Sequence, residues 1–81
     1  MKIFLNGMPP ETKKEDVAEL MSHYAEVLSL EMIDSELPRG EEAVITIKAT
    51  NAEAHWVARR LTGMYWQGHT LSAHVSLFSN D

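Results

Sequence analysis

The sequence predicts an α+β domain of element order βαββαβ, in which a four-stranded antiparallel sheet carries two helices on one of its faces. Three observations predict it. Segments beginning at Lys2, Leu28, Glu42 and His69 read as strands, the first and the last two alternating apolar and polar residues with the period of two that a half-buried strand imposes. After the first and third of these segments the apolar spacing changes to three and four, as a helix with one inward stripe requires. Each strand pattern has a single apolar side, so both helices cover the same face and the other stays wet.

Lys2 to Asn6 sets Ile3 and Leu5 on one side and Lys2, Phe4 and Asn6 on the other, and Gly7, Pro9 and Pro10 end the strand. Thr12 with Glu15 has the spacing of a capping box, with Asp16 adding favourable charge at the helix start. Val17, Leu20, Met21, Tyr24 and Val27 form the apolar stripe of that helix, which is expected to end near Ala25. Leu28 to Ile33 is the second strand, followed by the polar, proline-bearing loop from Asp34 to Gly40.

In the third strand, Glu42 to Lys48, Ala43, Ile45 and Ile47 point one way and Glu42, Val44 and Thr46 the other. Asn51 is the expected cap of a second helix with Ala54, Val57, Ala58 and Leu61 inward, stopped at Thr62 and Gly63. After a turn centred on Gly68, the fourth strand runs from His69 to Leu77 with Leu71, Ala73 and Val75 inward. Thr70, Ser72, His74 and Ser76 then face outward.

At 81 residues the chain holds one domain, and its 44% hydrophobic and 23% charged content suits a folded one. The absence of cysteine removes disulfides, thiolate zinc sites and a cysteine nucleophile together. No apolar run approaches the roughly 20 residues of a membrane span, and the first ten residues lack the apolar stretch of a signal peptide, so a cytoplasmic protein without membrane contact is expected. Met1 directly before the first strand is what a complete small protein would show. The net charge of −5, from 12 acidic and 7 basic side chains, opposes non-specific attraction to a phosphate backbone.

From Met1 to about Leu77 the chain resembles the RNA recognition motif (RRM) family in every element. IFLNGM in the first strand is similar to the family's hexamer motif, with Phe4 at its aromatic position. EDVAELMSHYAEVLSLEMI is similar to the pattern of the first helix and second strand, with Ala25 in place of the usual glycine. AHWVARRLTGMYWQGHTLSAHV resembles the segment from the second helix to the last strand through Ala54, Val57, Ala58, Leu61, Gly63, Gly68 and Leu71. The resemblance implies a ferredoxin-like βαββαβ sandwich, a single RRM-like domain over 1–78 with a short tail at 79–81, and single-stranded RNA as partner.

The departure lies in the octamer motif of the third strand, whose outward aromatics fall at Glu42 and Val44 in GEEAVITI. Stacking on an aromatic contributes about 1–3 kcal/mol per base, so the missing rings imply weak binding. Glu42 repels phosphate, although a carboxylate accepts hydrogen bonds from a cytosine amino group.

The expected RNA-contacting set is Lys2, Phe4, Asn6, Glu42, Val44, Thr46, Ser72, His74 and Phe78, with Phe4 stacking a base and Lys2 meeting phosphate. Phe78 either stacks a base itself or covers Phe4. Trp56 lies roughly 200° around the second helix from Ala54, beside Arg59 and Arg60, and is either an exposed contact or laid flat over its own helix. Tyr65 and Trp66 occupy the loop where a protein-binding branch of the family carries Arg, any residue, then an aromatic. Met64 replaces the arginine there, Glu19 and Glu26 are the candidate acidic partners, and core filling by Trp66 is the competing role.

Trp56, Arg59, Arg60, Tyr65 and Trp66 thus form a candidate protein-interaction set. The acidic charge, the missing rings and the apolar Val44 and Ile33 suit a degenerate RRM used for protein interaction or as a homodimer. A ligand-sensing regulatory domain of the same topology is the third possibility. Four histidines, 23, 55, 69 and 74, lack paired ligand spacing, and Gly7 to Glu11 carries no basic residue for the phosphate loop of acylphosphatases with a related fold. No metal, cofactor or catalysis is expected.

Overall fold

Seven residues from Lys2 to Met8 form strand β1, and Lys14–Ser22 form helix α1. Strands β2 (Glu26–Ile33) and β3 (Glu41–Lys48) follow, then helix α2 (Asn51–Leu61). A two-residue ladder of β4 (Tyr65–Trp66) and β5 (His69–Thr70) precedes the last strand, β6 (Ser72–Val75). The computed structural model describes residues 1–33 and 41–76, so the expected loop, the tail, Phe78 and the boundary at 78 lie outside the described residues.

The main sheet has the order β2-β3-β1-β6 and every ladder is antiparallel. Ile3, Leu5, Ala43, Ile45, Ile47, Leu30 and Val75 point from it into one core with Val17 and Met21 of α1 and Ala54, Val57, Ala58 and Leu61 of α2. The α+β reading therefore stands, as do both helical stripes, with Leu20 and Tyr24 partly buried against the same core.

Several boundaries differ for local reasons. The Thr12–Glu15 capping box does not form. Thr12 closes a turn instead, its N–H and its hydroxyl both donating to the Pro9 carbonyl, with Pro10 at the second position and Glu11 at φ 66°. Its oxygen serves that turn, and Lys13 becomes the N-cap without a side-chain bond. At α2 the capping box is formed one residue before the expected Asn51: Glu53 N–H donates to Thr50 Oγ1 (3.1 Å) and Thr50 N–H to the Glu53 carboxylate (2.9 Å).

α1 ends at Ser22 rather than near Ala25, because the N–H groups of Tyr24 and Ala25 both fold back onto the Met21 carbonyl. Val27, expected on the helical stripe, lies in β2 opposite Ile47. The ladder then skips to Ser29 opposite Thr46, which leaves Leu28 in a bulge, 58% exposed. β1 runs on to Met8 through a second bulge between Leu5 and Met8.

Gly7 sits in that second bulge at φ 89°, and a Cβ there would collide with the Thr70 carbonyl oxygen of β5. The absence of a side chain lets β1 pass under the small hairpin.

The expected single strand from His69 to Leu77 is divided at Leu71. Leu71 donates to the Met64 carbonyl and accepts from Gly63 N–H, 2.8 and 2.9 Å, which buries its side chain and hands His69 and Thr70 to a separate hairpin. Gln67 and Gly68, at φ 48° and 83°, make the two-residue turn with the positive angles that suit strand twist.

Candidate nucleic-acid interface

The sheet face away from the helices is ordered in rows by the strand register. The central row is Glu31, Val44, Phe4 and His74, each opposite the next across a ladder. Beside it Ser29 faces Thr46 and Thr46 faces Lys2. On the other side Ile33 faces Glu42, and Asn6 faces Ser72. Alternation along β1, β3 and β6 thus brings Lys2, Phe4, Asn6, Glu42, Val44, Thr46, Ser72 and His74 onto one surface.

The rings of Phe4 and His74 stack with centroids 5.3 Å apart and planes 25° from parallel. His74 is exposed and Phe4 half-buried, so the pair makes a small aromatic platform on an otherwise polar and aliphatic surface. The side chains around it include one cation, Lys2, and two carboxylates, Glu31 and Glu42. Sequence reasoning placed Ile33 in the region but missed Ser29 and Glu31 of β2. The alternation of Leu30 and Met32 inward with Ser29, Glu31 and Ile33 outward was the signal that marks them.

The second candidate set does not assemble into one surface. Trp56 is 50% exposed, with the Arg60 guanidinium carbon 5.4 Å from its ring centroid and the Tyr24 ring tilted at 6.4 Å. It borders a shallow groove of about 320 Å³ floored by Ala25, Ala49 and Ala52. Arg59 turns the other way and lines a groove with Thr62, Ala73 and His74. Tyr65 is 75% exposed on the hairpin, whereas Trp66 packs against the core and borders Asp16, Glu19, Leu20 and His23. Glu26, expected beside Glu19 in that role, instead opens β2 opposite Lys48.

Of the other histidines, His69 lies in β5 opposite Trp66 and two are held locally. His55 Nδ1–H donates to the Asn51 carbonyl at 2.8 Å, and His23 caps α1. Among the described residues no three His, Asp or Glu side chains are grouped as metal ligands, and no helix is long and apolar enough to cross a membrane.

No protein-family model matches the sequence, and no curated protein does. Solved structures match the fold over nearly the whole chain. The Rna15 RRM with bound RNA (GU) superposes with a TM-score of 0.80 at 20% identity, covering 99% of this chain and 86% of that one. The third RRM of Pes4 gives 0.82 at 18% identity, with 99% and 95% covered. The crystal structure of RNA binding protein PG1 gives 0.79 at 22%, with 100% and 99% covered. The fold is that of an RRM, and at such identities the likeness extends to the fold alone.

Proposed function

We propose that this RRM-like domain is a binding module, not an enzyme, that holds short single-stranded RNA weakly on its open sheet face. The observation that carries the reading is the stacked Phe4–His74 pair on a surface that neither helix covers. Every base has a π-face, so an aromatic platform binds single strands with little dependence on sequence. Lys2, two residues from Phe4 along β1, supplies a phosphate contact, and Asn6, Thr46 and Ser72 supply hydrogen bonds. The RNA bound to the Rna15 RRM supports the same ligand class for this fold.

Phe78, outside the described residues, is a further ring proposed from the sequence to stack a base. The test is an NMR titration with mixed-sequence single-stranded RNA: shifts centred on Phe4, Val44 and His74 are expected, and a spectrum without any shift there rejects the reading.

A second reading, a protein-interaction or self-association module, is favoured by the apolar side chains left in water on β2, Leu28 at 58% and Ile33 at 39% exposed, the latter diagonal to Val44. It predicts a dimer in light scattering. A strictly monomeric protein with salt-sensitive RNA affinity contradicts it.

A further inference from the structure

We infer that the carboxylates of Glu31 and Glu42 make the open face select guanine among single-stranded RNA bases, an inference that rests on the RNA-binding reading above. Glu31, Val44 and Phe4 are consecutive members of one cross-strand row. With adjacent strands about 4.8 Å apart, Glu31 stands about 10 Å from Phe4, with only the methyl groups of Val44 between them. Glu42 is two residues from Val44 along β3, hence diagonal to both Phe4 and Glu31, and faces Ile33.

A base stacked on Phe4 with its sugar towards β6 therefore lies over Val44, and its Watson–Crick edge meets a wall of acceptors. An extended glutamate and a purine together span the gap.

The two carboxylates have one sign and no donors, the hydroxyls of Ser29 and Thr46 lying on the other side of the row, and base edges differ in what they offer them. Guanine presents N1–H and the N2 amine side by side, two donors matched to the two oxygens of a carboxylate in a charge-assisted pair. Adenine and cytosine present an amine next to a lone pair that faces the anion. Uracil presents N3–H between two carbonyls.

Only guanine satisfies a carboxylate with two adjacent donors, and the others bring at least one acceptor against it. The same charges explain why binding is weak. Two carboxylates beside one lysine repel phosphate, so the face gains from base edges what it loses on the backbone.

The test uses fluorescence anisotropy with labelled single-stranded RNA hexamers UUUUUU, UUGUUU and UUIUUU, where I is inosine, which keeps N1–H but lacks the N2 amine. The guanine hexamer is expected to bind about tenfold or more tightly than the uridine hexamer, the discrimination of a good bidentate contact, with inosine nearer to uridine. In the E31Q/E42Q variant, checked for an unchanged melting temperature, the guanine advantage is expected to fall below about twofold while uridine binding tightens, two phosphate-repelling charges being gone.

E31Q alone, at an exposed position, is the second variant and is expected to reduce the advantage in the same direction. RNA binding without guanine preference, or a preference that survives in E31Q/E42Q, overturns the inference and leaves the RNA-binding reading standing. No binding of any hexamer by the wild type overturns both.

Discussion

Phe4 and His74 stand opposite each other across the β1–β6 ladder, one half-buried and one exposed, with their rings stacked at 5.3 Å. The imidazole covers part of the phenyl face and extends the platform to the outer strand of the sheet. Phe4→Ala is expected to weaken binding of a uridine hexamer about tenfold, and His74→Ala by less, since base stacking contributes about 1–3 kcal/mol. A salt titration accompanies the measurement: the dependence on salt should persist in both variants, because Lys2 remains. Affinities indistinguishable from the wild type would remove the platform from the mechanism.

Gly7 and Gly68 both have positive φ, but only Gly7 has backbone against it. Gly68→Ala is expected to cost about 1 kcal/mol, the strain of a left-handed alanine. Gly7→Ala adds the collision with the Thr70 carbonyl and should cost clearly more, about 2–4 kcal/mol. Urea denaturation of the two variants side by side checks the order, which equal losses would contradict.

The α2 capping box makes stability depend on acid pH. The Glu53 carboxyl is held below its ordinary value, first by the Thr50 backbone N–H and then by the Thr50 side chain. A carboxyl with a lower pKa folded than unfolded stabilises fully above the unfolded value, and that contribution is lost as pH falls through the folded one. Glu53→Gln should therefore melt below the wild type at neutral pH, and the two melting curves should converge in acid. Thr50→Ala, which removes the cap oxygen, is expected to cost about 1 kcal/mol at neutral pH.

Thr62 joins the end of α2 to β6. Its hydroxyl accepts from Ala73 N–H at 3.1 Å and lies 2.9 and 3.0 Å from the carbonyls of Ala58 and Ala73, with one proton to give. Thr62→Val keeps the shape and removes these bonds. Faster amide exchange at Ala73 and a loss of about 1 kcal/mol are expected, and unchanged exchange there would mean that the hydroxyl holds nothing.

The sheet face was readable in the sequence because alternation assigns a side to each residue of β1, β3 and β6 without knowledge of the partners. Phe4, Val44 and His74 are assigned to one face on that rule alone, and only the register puts them in one row. Glu31 was equally legible, since Ser29, Glu31 and Ile33 alternate beyond the bulge, but reading that strand only as a β-like run left its outward side unassigned. The α2 stripe was equally plain, since Ala54, Val57, Ala58 and Leu61 obey one spacing.

What failed were choices between chemically similar neighbours. Thr12 and Thr50 both have a glutamate three residues on, and only the tertiary course of the chain decides that Thr12 serves a turn. The Tyr65–Thr70 hairpin carries two residues per strand, too few for a periodicity to appear. Within the candidate set around Trp56 and Trp66, adjacency in sequence put Arg59 beside Arg60, and about 100° of helical turn separates them: Arg60 lies over the Trp56 ring, and Arg59 lines the groove beside β6.

The bulge at Leu28 also bears on the open edge of the sheet. β2 is an outermost strand, and a flat, regularly spaced one with Leu28 and Ile33 in water would template another chain alongside it. The extra residue between Val27 and Ser29 coils the strand and interrupts its line of free amides, while the exposed Glu26 and Glu31 place anions where an identical strand would bring its own. Growth by lateral strand addition, the route to filaments, is disfavoured at that margin.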